Sequence, residues 1–285
     1  MKLISWNIQW CRGVDGRVDP GRIARTVKGM ADADVICFQE VARNFQALPG
    51  SSGEDQFALL AAAFPEHTAI VGIAVDVAGS AGLGGSRRQF GNLLLSRLPV
   101  RQAYRVLLPW PADPLHADMQ RGAIEAVIES DVGPCRVSTT HLAYYSRRQR
   151  AAQVEVLRDL HAAAHAHAQP PGTTDASHGP FHWLGKPSAG IVTGDFNCEP
   201  LSAEYARMLA PFADGAPNFY DAWQAAHPGQ PHAATDGVYD RAQWPEPFCC
   251  DFAFVSIDLA PRLAGFEINS ETDASDHQPL LLWLD

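Results

Sequence analysis

No stretch of the 285-residue chain approaches the roughly 20 consecutive apolar residues that a membrane-spanning helix needs, so no membrane span is expected. The six cysteines (Cys11, Cys37, Cys135, Cys198, Cys249 and Cys250) are scattered and never fall in C-x-x-C spacing. Neither a zinc ribbon nor a disulfide scaffold is signalled, and reduced thiols in a cytoplasmic protein are the simplest reading. Positive charge is scarce: 22 Lys and Arg against 32 Asp and Glu leave a formal net charge of −10. That balance argues against non-specific attraction to nucleic acid or to an anionic membrane. It does not exclude a phosphate substrate, because a bound cation supplies positive charge locally. The glycine-rich run at 78–86 lacks the lysine and the spacing of a phosphate-cradling loop. No signal peptide is expected, since residues 1–6 already read as a strand. No linker composition divides the chain, so 1–285 is read as one domain and the protein as a monomer.

What is present is an ordinary globular composition, 46% hydrophobic and 19% charged, arranged as strands and helices. Residues 2–8 read as a strand ending on Asn7, and Asp19-Pro20 caps a helix reaching about Ala31. Residues 34–40 form a buried strand closed by Glu40. Helices are expected over 55–64, 146–167, 201–210 and 220–226. Further strands are expected over 67–77, 90–95, 100–108, 121–129, 135–141, 190–195, 251–255 and 263–268, with a last apolar run after His277. The stretches 169–189 and 228–247 read as irregular loops. His161 and His165 stand at i, i+4 on the long helix, but with no third ligand nearby in sequence they read as a solvated face.

Polar residues recur at the strand ends: Asn7, Glu40, His141, Asp195 with Asn197, Asp251, and Asp276 with His277. In layered α/β folds, chemistry collects where strand ends and loops converge. The residue types suit one task. Hard oxygen donors suit Mg²⁺ or Mn²⁺, and two histidines supply acid–base or phosphate-binding groups near neutral pH.

The motifs Ser5-Trp6-Asn7-Ile8, Phe38-Gln39-Glu40-Val41, Thr139-Thr140-His141-Leu142, Gly194-Asp195-Phe196-Asn197, Cys250-Asp251-Phe252 and Ser275-Asp276-His277 follow one another in order. This ordered set resembles the endonuclease/exonuclease/phosphatase superfamily, which includes pancreatic deoxyribonuclease, neutral sphingomyelinases and inositol-polyphosphate 5-phosphatases. The resemblance runs from residue 5 to 277. It implies a four-layer α-β-β-α sandwich: two packed, mainly antiparallel β-sheets flanked by helices. It also implies a Mg²⁺-dependent hydrolase, with Mn²⁺ as a possible substitute, that cleaves a phosphate ester, foremost a phosphodiester, by attack of water.

Carried over residue by residue, Glu40 is the principal metal ligand, with Asn7 beside it and Asp276 reaching the metal directly or through water. Asp195 and Asn197 position or activate the attacking water and hold the phosphate. His277 is the base or the phosphate-polarising group, oriented by Asp251. His141 binds the phosphate or assists the leaving oxygen, and Arg121 adds positive charge towards it. The chain departs from pancreatic deoxyribonuclease in one respect: residues 87–91 offer no acidic partner for His141. A DNA or RNA nuclease of the same superfamily is the nearest alternative; a catalytically silent binding module is an alternative of another class.

Overall fold

The computed structural model describes residues 1–79, 86–170, 179–241 and 243–285. Among these the chain forms strands β1 (Lys2–Asn7), β2 (Val35–Arg43), β3 (Thr68–Ala78), β4 (Arg87–Ser96), β5 (Val100–Leu107) and β6 (Gly122–Ser130). β7 (Gly133–His141), β8 (Gly190–Asp195), β9 (Phe219–Asp221), β10 (Asp251–Ser256), β11 (Leu263–Ile268) and β12 (Leu280–Leu284) follow. The helices are α1 (Pro20–Met30), α2 (Gln56–Ala63), α3 (Arg147–Ala166), α4 (Ala203–Leu209) and α5 (Ala222–Ala226). The loops expected over 78–86, 169–189 and 228–247 lie partly outside the described residues.

Two six-stranded sheets result, ordered β11-β12-β1-β2-β4-β3 and β5-β6-β7-β8-β10-β9. Each has one parallel pair near its centre, β1 with β2 and β7 with β8; the other pairings are antiparallel. Strand alternation then sorts side chains into layers. Leu3, Val35, Cys37, Leu94 and Leu282 of the first sheet pack with Ile124, Val137, Ile191 and Val255 of the second. On the outer face of the first sheet, Ile4, Trp6, Ile36, Phe38 and Leu93 meet Ile23 and Val27 of α1 and Phe57 and Leu60 of α2. Behind the second, Val192, Phe252 and Phe254 meet Val154 and Leu157 of α3 and Tyr205 and Met208 of α4. The architecture is the expected four-layer α-β-β-α sandwich.

The helices begin where the capping residues said they would. Asp19 Oδ1 accepts from Arg22 N at 3.0 Å, with Pro20 in the first turn, and Ser146 Oγ accepts from Gln149 N at 3.2 Å. One expectation fails. His161 is buried rather than solvated, because two nearby sheet and loop segments supply partners for both ring nitrogens.

Candidate active site

The parallel pairs deliver the ends of β1, β2, β7 and β8 to one edge of the sandwich. Antiparallel β10 and β12 start at that same edge. Register aligns the chemistry: His141 pairs with Asp195, and Asp195 with Asp251, in one row across three strands. Asn7, at the end of β1, closes the gap from the first sheet, its Nδ2 donating to Asp195 Oδ2 at 2.9 Å. All of this surrounds a cavity of about 490 Å³ lined by Glu40, Arg121, His141, Asp195, Asn197 and His277, with Asp276 also in its wall.

Local backbone features aim the side chains. Glu40 sits at φ 60°, and the β2–β4 register shifts between Phe38 and Val41. Such a bulge re-aims one side chain without ending the strand. Asn197 holds φ 49° just beyond β8. The turn of Ser275–His277 is tied to β1: Ser275 Oγ donates to Asn7 O at 2.8 Å, and Trp6 Nε1 donates to His277 O at 2.9 Å.

His277 Nδ1 lies 2.8 Å from Asp251 Oδ2, and its Nε2 stands 3.8 Å from both Asp195 Oδ2 and Asp236 Oδ2. Burial works against a charged imidazole, but Asp251, Asp195 and the other groups around the ring together outweigh it and hold His277 well above its usual range, which favours the imidazolium. His141 goes the other way. Burial, then Arg121, lowers it to about 3, so this imidazole is neutral. Its Nε2 lies 2.9 Å from Asn197 Nδ2 and 3.3 Å from Asp195 Oδ2. Glu40 Oε1 lies 3.7 Å from His141 Nδ1, too far for a hydrogen bond.

A hard cation fits beside Glu40 and Asp276. Among the described residues no hydrogen bond reaches the Glu40 carboxylate, and burial first, then Asp276, pushes its pKa up to about 7. Two carboxylates sharing a buried site repel each other until a cation intervenes. Asp276 accepts hydrogen bonds from Gln9 Nε2 and Ser275 Oγ, which orient it. Asn7 Oδ1 accepts from Gln9 N at 3.1 Å and so keeps one lone pair for an ion. Asp195, Asp251 and His277 also form a group able to hold a metal, as do Asp236, Cys250 and His277, the ligand atoms of each lying within 4.8 Å of one another. Arg121 is 5% exposed; its Nη2 donates to Asp118 Oδ1 at 3.1 Å, and its Nε and Nη1 have no hydrogen-bond partner among the described residues.

The structure thus brings all nine singled-out residues to one place: Asn7, Glu40, Arg121, His141, Asp195, Asn197, Asp251, Asp276 and His277. Two further residues there gave no usable signal. Gln9 reaches the site only because residues 9–11 turn back through positive φ, and Asp236 lies in an irregular segment without periodicity.

The Endonuclease/Exonuclease/phosphatase family model matches residues 4–277. A search of curated proteins returned no match. Among solved structures, an endonuclease/exonuclease/phosphatase from Beutenbergia cavernae is 22% identical, with 99% of this chain and 70% of that one covered and a TM-score of 0.66. A mannosyl-6-phosphatase of Bacteroides thetaiotaomicron is 16% identical over 100% of this chain and 99% of that one, with a TM-score of 0.63. A 3′ phosphatase from Neisseria, bound to product DNA hairpin, is 18% identical over 100% and 99%, with a TM-score of 0.59. At these identities the neighbours speak for the fold, whereas the family model spans nearly the whole chain and every motif in it. The chain belongs to the endonuclease/exonuclease/phosphatase family.

Proposed function

We propose that the protein is a metal-dependent phosphoesterase that hydrolyses a phosphodiester by attack of water, with Mg²⁺ as cofactor and Mn²⁺ able to replace it. One observation carries this reading. The Asp251–His277 pair, the Asp195 carboxylate and the partly unpartnered Arg121 guanidinium converge on one cavity beside Glu40 and Asp276.

Glu40 and Asp276 would hold the cation, with Asn7 Oδ1 beside them. Bound there, it would supply Lewis-acid neutralisation of charge building on the phosphoryl oxygens. Arg121 and the His277 imidazolium face the same charge as fixed donors, which stabilise a transition state without reorganising. Asp251 holds the ring in place through Nδ1, leaving Nε2–H for a phosphoryl oxygen. The raised His277 pKa therefore favours polarisation of the phosphate over proton abstraction. Asp195 orients the attacking water and accepts its proton. Burial works against its charge, but the charge of His277 and the hydrogen bonds from Asn197 N and Asn7 Nδ2 hold its pKa below the usual carboxylate range. Neutral His141 fixes the Asn197 amide and binds phosphate instead of supplying a proton.

Hydrolysis of bis(4-nitrophenyl) phosphate tests the reading directly. Turnover is expected to vanish on chelation with EDTA, to return with Mg²⁺ or Mn²⁺, and to be lost in folded His277→Ala. Turnover that survives EDTA overturns the metal dependence. No turnover by the folded protein on any phosphodiester or monoester overturns the whole reading.

A further inference from the structure

A second cleft, of about 850 Å³, opens beside the phosphate cavity and shares Tyr144 and Asn197 with it. Its wall is aromatic. The Trp244 ring meets Phe248 edge-on at 5.0 Å between centroids and lies 6.4 Å from the Tyr144 ring. Gly237 backs the indole so closely that a Cβ there would come within 2.7 Å of Trp244 Cβ, so the wall is held from behind.

The charge of the cleft is compensated internally. Arg147 and Arg150 both face Glu204, at 3.6 and 3.4 Å, and Arg150 Nη1 also donates to the Ala143 and Tyr144 carbonyls. With Glu199 and Glu246, three carboxylates line the cleft against two guanidinium groups. A lining of that sign disfavours a second phosphate and gives no track for a run of phosphodiesters.

Besides guanidinium nitrogens of Arg121 and Arg150, two buried polar atoms along these cavities have no hydrogen-bond partner among the described residues. Trp244 Nε1 is a buried donor and Asp236 Oδ1 a buried acceptor; Asp236 is 5% exposed and lines the adjoining phosphate cavity. Buried polar groups in folded proteins nearly always find a partner. An orphan donor and an orphan acceptor beside an aromatic wall call for a ligand offering both functions. A hydroxyl group offers both, and a ring bearing several also presents apolar C–H faces to an indole. Building on the phosphoesterase reading above, we propose that this cleft takes the non-phosphate part of the substrate, and that this part is an uncharged, polyhydroxylated ring, a sugar or a cyclic polyol.

The test compares two methyl phosphodiesters assayed with Mg²⁺, followed by phosphorus NMR. One carries a methyl pyranoside through its 6-oxygen, the other cyclohexylmethanol, a ring of similar size without hydroxyls. The pyranoside ester is expected to have a kcat/KM at least about tenfold higher, mainly through a lower KM, because unpaired site groups penalise the analogue that lacks hydroxyls. In Trp244→Ala and in Asp236→Asn that ratio is expected to fall towards one. Esters hydrolysed within about twofold of each other by the unmodified protein overturn the inference, as does a ratio unchanged in both variants. If the cyclohexylmethyl ester is cleaved without any preference, the ring site alone fails. If neither these esters nor bis(4-nitrophenyl) phosphate is cleaved, the phosphoesterase reading fails and takes the ring site with it.

Discussion

Gln9, Glu40 and Asn197 surround the cavity with left-handed backbone although none is glycine, at φ 43°, 60° and 49°. Strain of this kind costs on the order of 1–3 kcal/mol per residue and is tolerated where the side chain's aim matters more. Gly194 shows the opposite case. It stands at φ 137°, and a Cβ there would come within 2.0 Å of Thr140 O on the neighbouring parallel strand. Gly194→Ala should therefore lower stability by at least about 2 kcal/mol and displace Asp195, measured by urea denaturation and by turnover. A variant with unchanged midpoint and rate would refute that account. Asp251→Asn leaves size and burial nearly intact but removes the charge that holds His277 protonated and oriented. Its kcat should fall by about three to four orders of magnitude while circular dichroism stays unchanged. Near-normal turnover would remove Asp251 from the mechanism. Glu40, Asn197, Asp251 and His277 were visible in sequence because each is a polar side chain where an apolar run ends or begins, whereas Gln9 was not. Asp236 was not visible, since it reaches His277 by an isolated bridge from an irregular segment. Nor was the neutral state of His141, which depends on burial and on Arg121, twenty residues away in sequence.

Within the elements, strands were more legible than the face of α3. That helix buries Gln149, Arg150, Gln153, Arg158 and His161, residues that local hydropathy assigns to solvent. Distant groups make their burial possible. Arg158 donates to the carbonyls of Met208, Ala210 and Pro211, and Gln153 Nε2 to Pro109 O. His161 is the most constrained of them. Arg136 Nη2 can only donate to its Nδ1, at 2.6 Å, so Nε2 carries the proton and donates to Pro217 O at 2.8 Å. Protonation would set a second N–H against a guanidinium that Glu125 already holds at 2.7 Å. Burial, then Arg136, lowers the His161 pKa to about 4. The unfolded chain takes up this proton near pH 6.5 and the folded chain only near pH 4. The folded state is therefore unpenalised above about pH 6.5, loses stability as pH falls to about 4, and levels off below, with a limit of about 3 kcal/mol. Unfolding free energies at several pH values check this. His161→Gln should be less stable at pH 7 yet show a shallower loss across the same window; an identical slope in the variant would rule His161 out as its source.

For the molecule as a whole, charge and topology set the terms on which substrate is met. The net charge is −10, and the arginine clusters that stand out in sequence are engaged within the protein, Arg87 with Asp76 at 2.6 Å and Arg147 and Arg150 with Glu204. A protein gripping several backbone phosphates loses affinity steeply with salt, with a log–log slope of about −0.9 per contact. Here KM for the true substrate should rise less than about tenfold between about 50 and 200 mM salt, as engagement mainly at one phosphate requires. Oligonucleotide cleavage at low enzyme concentration with a KM rise of a hundredfold or more would instead promote the nuclease alternative. The division of the site between two sheets has a mechanical consequence. His277 hangs from the sheet of β1 and β12, whereas Asp251 opens β10 of the other, and 2.8 Å separates their bonded atoms. Sliding one plate over the other by about an ångström breaks that bond, because hydrogen bonds of this type fail beyond roughly 3.2 Å. The Nδ1 proton of His277 is thus a built-in strain gauge. A trimmed contact between the plates, such as Ile124→Val where Ile124 rests on Gly72, is read out in its chemical shift at the reacting end of the sandwich.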